Sequence, residues 1–373
     1  MNDAPQPVSV DREDLPNLIA LLNRVFRVDG GDMAVDYARH LGENNLPNLR
    51  VIKEGGDIVS HVGVSLRDVN LGGVATRVAG VGAVATAAEA RGKGYASVLM
   101  RDAIERSKQA GADIMLISGD EGIYTRLHAV ECGRFLQIEI PREELLPSEE
   151  YQLENVVRED LDAVIALRET LPVRYQLPKE DIEALWQSKF VMDQPSSWWL
   201  IRREGRPVGF GIIAAQDDTL HLLDWAGRAE VLSIAAPHWM IHTNTLRMQF
   251  ICPPQTWLPL DWYDRVIATR PFDGTVLVIN AQRFLDRARP LLIERAGEQA
   301  MERLQIEAST DQVTFRLRQQ EATFLNGGEL AQLFFGHPSY EILPEKVEPQ
   351  TDLSQLLQTL FPLPLVWYGM GYV

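Results

Sequence analysis

Apolar positions along this chain follow two periods, one near 3.6 residues and one of 2, and Gly and Pro mark most changes between them. From Asp11 the run Arg-Glu-Asp-Leu-Pro-Asn-Leu-Ile-Ala-Leu-Leu places Leu15, Leu18, Ile19 and Leu22 on one face and predicts a helix with Asp11 as N-cap. Alternation then takes over. Leu49–Glu54 and Ile58–Leu66 flank Gly55-Gly56 as a hairpin, and Asn70-Leu-Gly-Gly turns the chain into a third strand from Val74 to Val84. Helical spacing returns with Val98, Leu99 and Ile104, and Gly111 stands where a C-cap belongs.

The same order recurs further along. Tyr151–Leu167 reads as a strand and then a helix, Ser197–Ala215 as a hairpin about Glu204-Gly205, and Leu220–Trp225 as the next strand. A last block predicts strands at Thr275–Ile279, Gln312–Leu317 and Glu321–Phe324, with helices at Ala281–Arg289, Gly328–Phe335 and Asp352–Phe361. The acidic stretch Pro141–Glu150 is a linker candidate. Three segments are expected, 1–147, 148–270 and 271–373, in an α/β (α+β) fold of mixed, mostly antiparallel sheets flanked by helices.

Composition narrows the function classes. The 373 residues carry 36 Lys+Arg against 52 Asp+Glu, a net charge of −16, and are 46% apolar. An apolar content this high supports folded cores, and a chain this acidic without a basic run repels nucleic acid. It attracts cations. Cys132 and Cys252 form no CxxC or Cys/His cluster, so neither a disulfide framework nor a structural metal site is expected, and a reducing cytoplasm fits. Met1–Asp14 lacks the pattern of a signal peptide, and no apolar stretch reaches the roughly 18–20 residues that span a bilayer.

The chemistry concentrates at Arg91-Gly92-Lys93-Gly94-Tyr95-Ala96, between a strand of small residues and a helix. Glycines let a ligand approach the backbone, the helix N-terminus offers free N–H groups, and Arg91 and Lys93 add positive charge. A pyrophosphate suits that turn. The spacing is neither a Walker loop, which needs Gly-Lys-Ser/Thr, nor a dinucleotide Gly-x-Gly-x-x-Gly, because Ser97 stands at the last position. A tight structural turn is the plainer reading of the same glycines.

Arg91, Gly94 and Ala96 do match Arg/Gln-x-x-Gly-x-Gly/Ala, and the chain thereby resembles the GNAT superfamily of N-acetyltransferases. The resemblance implies that acetyl-CoA places its pyrophosphate on Arg91–Ala96 and its pantetheine arm along Val84, Ala85 and Thr86. The next strand would be Asp113–Ser118, splayed from the first to open a slot, with Tyr124 after it as general acid. The layout of two such domains, the second degenerate, before a domain resembling sterol carrier protein is similar to the enhanced intracellular survival (Eis-like) branch. The branch motif Ser-Glu-Gly-x-Ile-Tyr reads here Gly119-Asp-Glu-Gly-Ile-Tyr124, with the serine position changed. In that branch the C-terminal carboxylate, here on Val373, enters the site as base, and the aromatic tail from Leu360 onward is expected to be buried.

The resemblance further implies direct transfer of acetyl to a primary amine of a cationic small molecule or a lysine, by a cytoplasmic homo-oligomer such as a hexamer of paired trimers. A CoA-binding sensor or scaffold without efficient transfer is the alternative, and a lipid carrier is a third reading. Tyr124 has a plainer reading as a core tyrosine, against which its position after Ser118-Gly119 favours the acid role, and His61 is equally a packed, surface or substrate-site histidine. Cys132 and the tryptophans read as structural.

Overall fold

The computed structural model describes residues 6–120, 122–148, 150–337, 346 and 348–372. β1 (Val8–Ser9) leads to α1 (Leu15–Phe26), whose N-cap is Asp14 and not Asp11; Asp11 instead accepts the Asp14 N–H at 2.9 Å and closes the turn before the helix. Leu18, Leu21 and Leu22 form its buried face. After the short α2 (Met33–Asp36), β2 (Leu49–Glu54) and β3 (Asp57–Leu71) make the expected hairpin, and Gly72-Gly73 return the chain as β4 (Val74–Thr86). Both glycine pairs have positive φ, which is what these tight turns demand. α3 (Tyr95–Gln109) then crosses over the sheet, as a parallel connection requires, and β5 (Ile114–Ile117) lies parallel to β4 before α4 (Gly122–Thr125).

From this point the chain does not stay with its first sheet. β6 (Phe135–Pro141) joins a second sheet, whose later members are β7 (Gln152–Asn155), β11 (Ser197–Arg203), β12 (Arg206–Gln216), β13 (Thr219–Gly227), β14 (Arg247–Cys252) and β15 (Val266–Arg270). Between β7 and β11 come α5 (Leu161–Glu169), β8 (Val173–Gln176), α6 (Lys179–Ser188) and the small ribbon β9 (Phe190–Val191) with β10 (Gln194–Pro195). α7 (Ala229–Thr243) links β13 to β14. The second sheet has the order β15-β6-β14-β13-β12-β11-β7.

The last segment opens with β16 (Thr275–Val278), which pairs antiparallel with β5 and completes the first sheet, β1-β2-β3-β4-β5-β16, while β8 pairs with the far end of β3. The sequence blocks therefore exchange strands. β16 is buried at all four positions, so it requires cover on both faces; Leu277 packs into the core of the first segment, whereas Val276 and Val278 pack with side chains of α8 and α10 from its own segment. Next come α8 (Ala281–Ala296), α9 (Glu298–Arg303), the three-stranded sheet of β17 (Gln305–Ala308), β18 (Val313–Leu317) and β19 (Gln320–Phe324), then α10 (Gly327–Phe335) and α11 (Asp352–Leu360).

Asp113 fastens the last segment to the first. Its fully buried carboxylate accepts from Arg283 at 2.5 Å, Arg287 at 2.6 Å and Thr76 at 2.6 Å. The tail is buried as its composition predicts. Phe361, Leu363, Leu365, Val366, Tyr368 and Met370 are each at most 4% exposed, and a fully buried large apolar side chain contributes about 1.5–3 kcal/mol. Both cysteines are buried thiols, and no helix among the described residues is long and apolar enough to cross a membrane.

Candidate active site

β4 and β5 are hydrogen-bonded in register only from Val78↔Ile114 to Val81↔Ile117. Ser118 prolongs the pairing by one step, its N–H and hydroxyl both donating to the Val81 carbonyl at 3.2 and 3.1 Å. Beyond that the strands part. β5 turns away at Gly119, whereas β4 runs on to Thr86 paired only with β3. Val84, Ala85 and Thr86 thus lie on a strand whose other edge has no strand partner, at the place where the family resemblance expects a slot.

A bulge accompanies the parting. The β3–β4 register shifts between His61 and Gly63, and Ala83 takes φ 53°, a backbone state that L residues adopt only when something holds them there. The holding contact is from His61, whose Nδ1 lies 2.8 Å from the Ala83 carbonyl. With that carbonyl as acceptor, Nδ1 carries the proton and Nε2 is left as the acceptor nitrogen. His61 is fully buried, so among the readings left open for it the packed one holds; burial pushes its pKa down to about 4. His40 lies beside it, with Nδ1 2.8 Å from the Ser65 hydroxyl and a pKa lowered by burial to about 3. A methyl group added at Gly63 would lie 2.1 Å from His40 Nε2 and 3.1 Å from His61 Cε1, so only glycine leaves room for the two rings.

The basic turn sits at the mouth of the slot. Arg91, Gly92, Lys93 and Gly94 are exposed, Tyr95 and Ala96 half-buried, and Gly94 is the N-cap of α3 with φ 80°. The first N–H groups of a helix have no partner within it, so they face whatever the turn holds. One cation there is shared. Lys93 Nζ contacts both Glu54 carboxylate oxygens at 3.0 and 2.9 Å, and the Tyr95 hydroxyl also donates to Glu54. These contacts raise the Lys93 pKa, chiefly through its hydrogen bond to Glu54, and lower that of Glu54, chiefly through the hydrogen bond from Tyr95 and then that from Lys93. Arg91 reaches back to the Thr86 carbonyl at 3.5 Å. Glu54 was invisible as a site residue because it ends β2, far from the turn in sequence.

Tyr124 is buried at the end of β5. A methyl group added at Gly119 would stand 3.1 Å from its ring and 3.9 Å from its hydroxyl, so the ring rests on the glycine where the two strands separate. Thr275 donates to the Gly119 carbonyl at 3.1 Å and Tyr368 donates to the Asp273 carbonyl at 2.6 Å, which brings β16 and the tail to the same place. The tail then continues past the first segment. Arg39 Nη1 and Nη2 donate to the carbonyls of Met370, at 3.0 Å, and Tyr372, at 2.6 Å; the Tyr372 ring lies 6.2 Å from that of Tyr37. Asp224 holds the Met370 N–H at 2.8 Å and Arg168 at 2.6 Å. Val373 lies outside the described residues. Asp36 and Asp193, next to this end of the tail, are both bonded to Arg27, at 2.6 and 2.9 Å.

Among the described residues no group of His, Cys, Asp and Glu is placed to hold a metal ion. Residues 7–128, which contain the slot, the turn and Tyr124, match the family model for the acetyltransferase (GNAT) domain. They form a GNAT acetyltransferase domain. No curated protein matches the chain. Solved structures of similar fold include a conserved protein of unknown function from Enterococcus faecalis V583, described as a probable N-acyltransferase (TM-score 0.70, 13% identity, 98% of this chain and 100% of that one). Two others are a GCN5-related N-acetyltransferase from Anabaena variabilis (0.67, 16%, 98% and 98%) and Eis1 from Mycobacterium abscessus (0.65, 11%, 99% and 100%). At these identities the likeness is one of fold, and it extends through the whole chain. Residues 7–128 are thus a domain of the GNAT acetyltransferase type, a family that takes an acyl-CoA as donor.

Proposed function

We propose that the enzyme transfers acetyl from acetyl-CoA to a primary amine on a cationic small molecule or a lysine side chain. The observation that carries this reading is the parting of β4 and β5 beside the Arg91–Ala96 turn, with Tyr124 seated where they separate. The pantetheine arm would lie along Val84, Ala85 and Thr86, taking the place of a missing sheet neighbour, and the pyrophosphate would sit on Arg91, Gly92, Lys93, Gly94, Tyr95 and Ala96.

Transfer of this kind needs three services. Backbone N–H at the slot holds the oxyanion of the tetrahedral intermediate, an acid protonates the leaving thiolate, and a base takes a proton from the attacking amine. Tyr124 is the proposed acid. For the base, the carboxylate of Val373 is proposed from the family resemblance, supported by the tail's docking through Tyr372 on Arg39 and Tyr37. With an ordinary pKa of about 3.3–3.7 that carboxylate would work through a water or orient the ammonium.

The net charge of −16 favours a cationic acceptor by concentrating cations near the surface. A cytoplasmic homo-oligomer, a hexamer of paired trimers, belongs to the same proposal and is tested by particle mass in solution. The reading itself is tested by thiol release from acetyl-CoA across polyamines, aminoglycosides and lysine peptides. Release with any of them supports it, whereas tight acetyl-CoA binding with no release on any amine would favour a CoA sensor.

A further inference from the structure

The second sheet contains a slot of its own. Among the described residues only two strand pairs are parallel, β4 with β5 and β13 with β14, and both come apart. β13 and β14 pair from Thr219↔Arg247 to His221↔Gln249, after which β13 continues to Gly227 bonded only to β12. A register shift opposite this point, between Ile212 and Ile213, repeats the bulge of the first sheet. What differs is the exit. β13 passes directly into α7 through Gly227-Arg228, with no glycine-rich loop to cradle a pyrophosphate.

This slot is open and mostly apolar. A cavity of about 320 Å³ occupies it, lined by Leu223 and Trp225 of β13, Ile251 and Cys252 of β14, Trp257 beyond them and Trp367 of the tail. That volume falls in the range of small-molecule pockets and holds about ten water-sized groups at roughly 30 Å³ each. Trp225 is braced edge-on against Phe250, with ring centroids 5.1 Å apart, whereas Trp257 lines the cavity with 81% of its surface exposed.

The charged groups of the lining choose the ligand. They are three guanidinium groups, Arg168, Arg174 and Arg228, and one carboxylate, Asp224. Asp224 is committed to Arg168 and to the Met370 N–H. Arg174 donates to the Leu171 carbonyl at 2.6 Å, a neutral acceptor, and Arg228 pairs at 2.9 Å with Glu230, both side chains mostly exposed so that water screens the pair; the balance of charge at the cavity is therefore positive. We propose that the β13–β14 slot is a second binding site, for an organic anion with an apolar body of about ten carbons, its carboxylate at Arg174 and Arg228. This site is separate from the acetyl-transfer slot and does not depend on the reading given to it.

The test is decanoate binding to the full chain by calorimetry and tryptophan fluorescence, with decylamine as the cationic counterpart. Expected are saturable binding of decanoate, at least tenfold weaker binding of decylamine, and unchanged decanoate affinity with acetyl-CoA present. Trp257→Ala and Arg228→Glu change exposed side chains, so folding is retained, and each should weaken decanoate about tenfold, or 1.4 kcal/mol. Acetyl-CoA binding should be unaffected. Equal or tighter binding of decylamine, displacement of decanoate by acetyl-CoA, or wild-type decanoate affinity in both variants would overturn the proposal. If the variants changed particle mass and left decanoate affinity alone, the face would be a subunit contact and the proposal would fall as well.

Discussion

Gly94 and Gly111 stand at opposite ends of α3, and the pair separates a glycine needed for the fold from one needed for the cofactor. Each has positive φ, 80° and 88°, and at each an added methyl group would meet no heavy atom within 4 Å. Replacing either by alanine therefore adds backbone strain without a clash. The left-handed state costs an L residue about 1–2 kcal/mol, and the two variants should lose that much stability alike. Ligand binding should not change alike. Gly94 caps the helix N-terminus at the exposed turn proposed to hold the pyrophosphate, where a methyl group would stand between the ligand and the N–H groups. Gly94→Ala should raise the acetyl-CoA Kd at least tenfold, about 1.4 kcal/mol, and Gly111→Ala should leave it within about twofold. Thermal denaturation reports the first quantity and calorimetric titration of acetyl-CoA the second. Equal losses of affinity in the two variants, or none in Gly94→Ala, would refute the placement of the pyrophosphate.

Other consequences can be measured in the same preparations. Glu54→Gln frees Lys93 from its carboxylate partner, so acetyl-CoA should bind a few-fold more tightly at low salt, with the gain shrinking as ionic strength rises; no change would mean that Lys93 does not meet the phosphates. Because His61 and His40 are held neutral with pKa values of about 4 and about 3, their contribution to stability is complete above the unfolded value of 6.5. It is lost as pH falls from 6.5 toward 4, where the unfolded chain takes up protons that the native state refuses, a loss on the order of 3 kcal/mol for His61. Denaturant midpoints at pH 7.5 and 5 should show this fall, and His61→Gln should flatten it; an unchanged slope would assign the pH dependence to other groups. Asp224→Ala leaves the Arg168 guanidinium, 6% exposed, without its carboxylate and releases the Met370 N–H, and should cost about 3–5 kcal/mol. Chemical denaturation with a loss below 1 kcal/mol would contradict that reading of the pair.

The features legible in the sequence were those encoded locally. The Gly55-Gly56 and Gly72-Gly73 turns, the long strands they join and the helix from Tyr95 follow from period and turn chemistry, and the three helices and three strands predicted in the last block fall within a few residues of their expected ends, α8 alone running longer, while α9 and β17 went unpredicted. Partner choice was not legible. Nothing in Phe135–Pro141 says that it pairs with Arg247–Cys252, and nothing in Thr275–Val278 says that it pairs with β5, because a strand's period states which face is buried and not which neighbour it has. The site divides in the same way. Arg91–Ala96 was marked by its turn and Tyr124 by the family resemblance, both as candidates, whereas Glu54, Arg39 and the His61–Ala83 contact arise from residues 22 to 333 positions apart. The burial of the tail was legible from composition, and its contacts with Arg39 and Asp224 were not.

The central claim is that Tyr124 protonates a departing thiolate in a slot that holds acetyl-CoA. Its most direct test is the turnover number for thiol release by Tyr124→Phe on the best amine acceptor. The ring packed on Gly119 stays and only the hydroxyl is removed, so kcat should be lower by about 10²–10⁴ with acetyl-CoA affinity unchanged. A kcat near that of the parent enzyme would contradict the claim and take the acid role away from Tyr124.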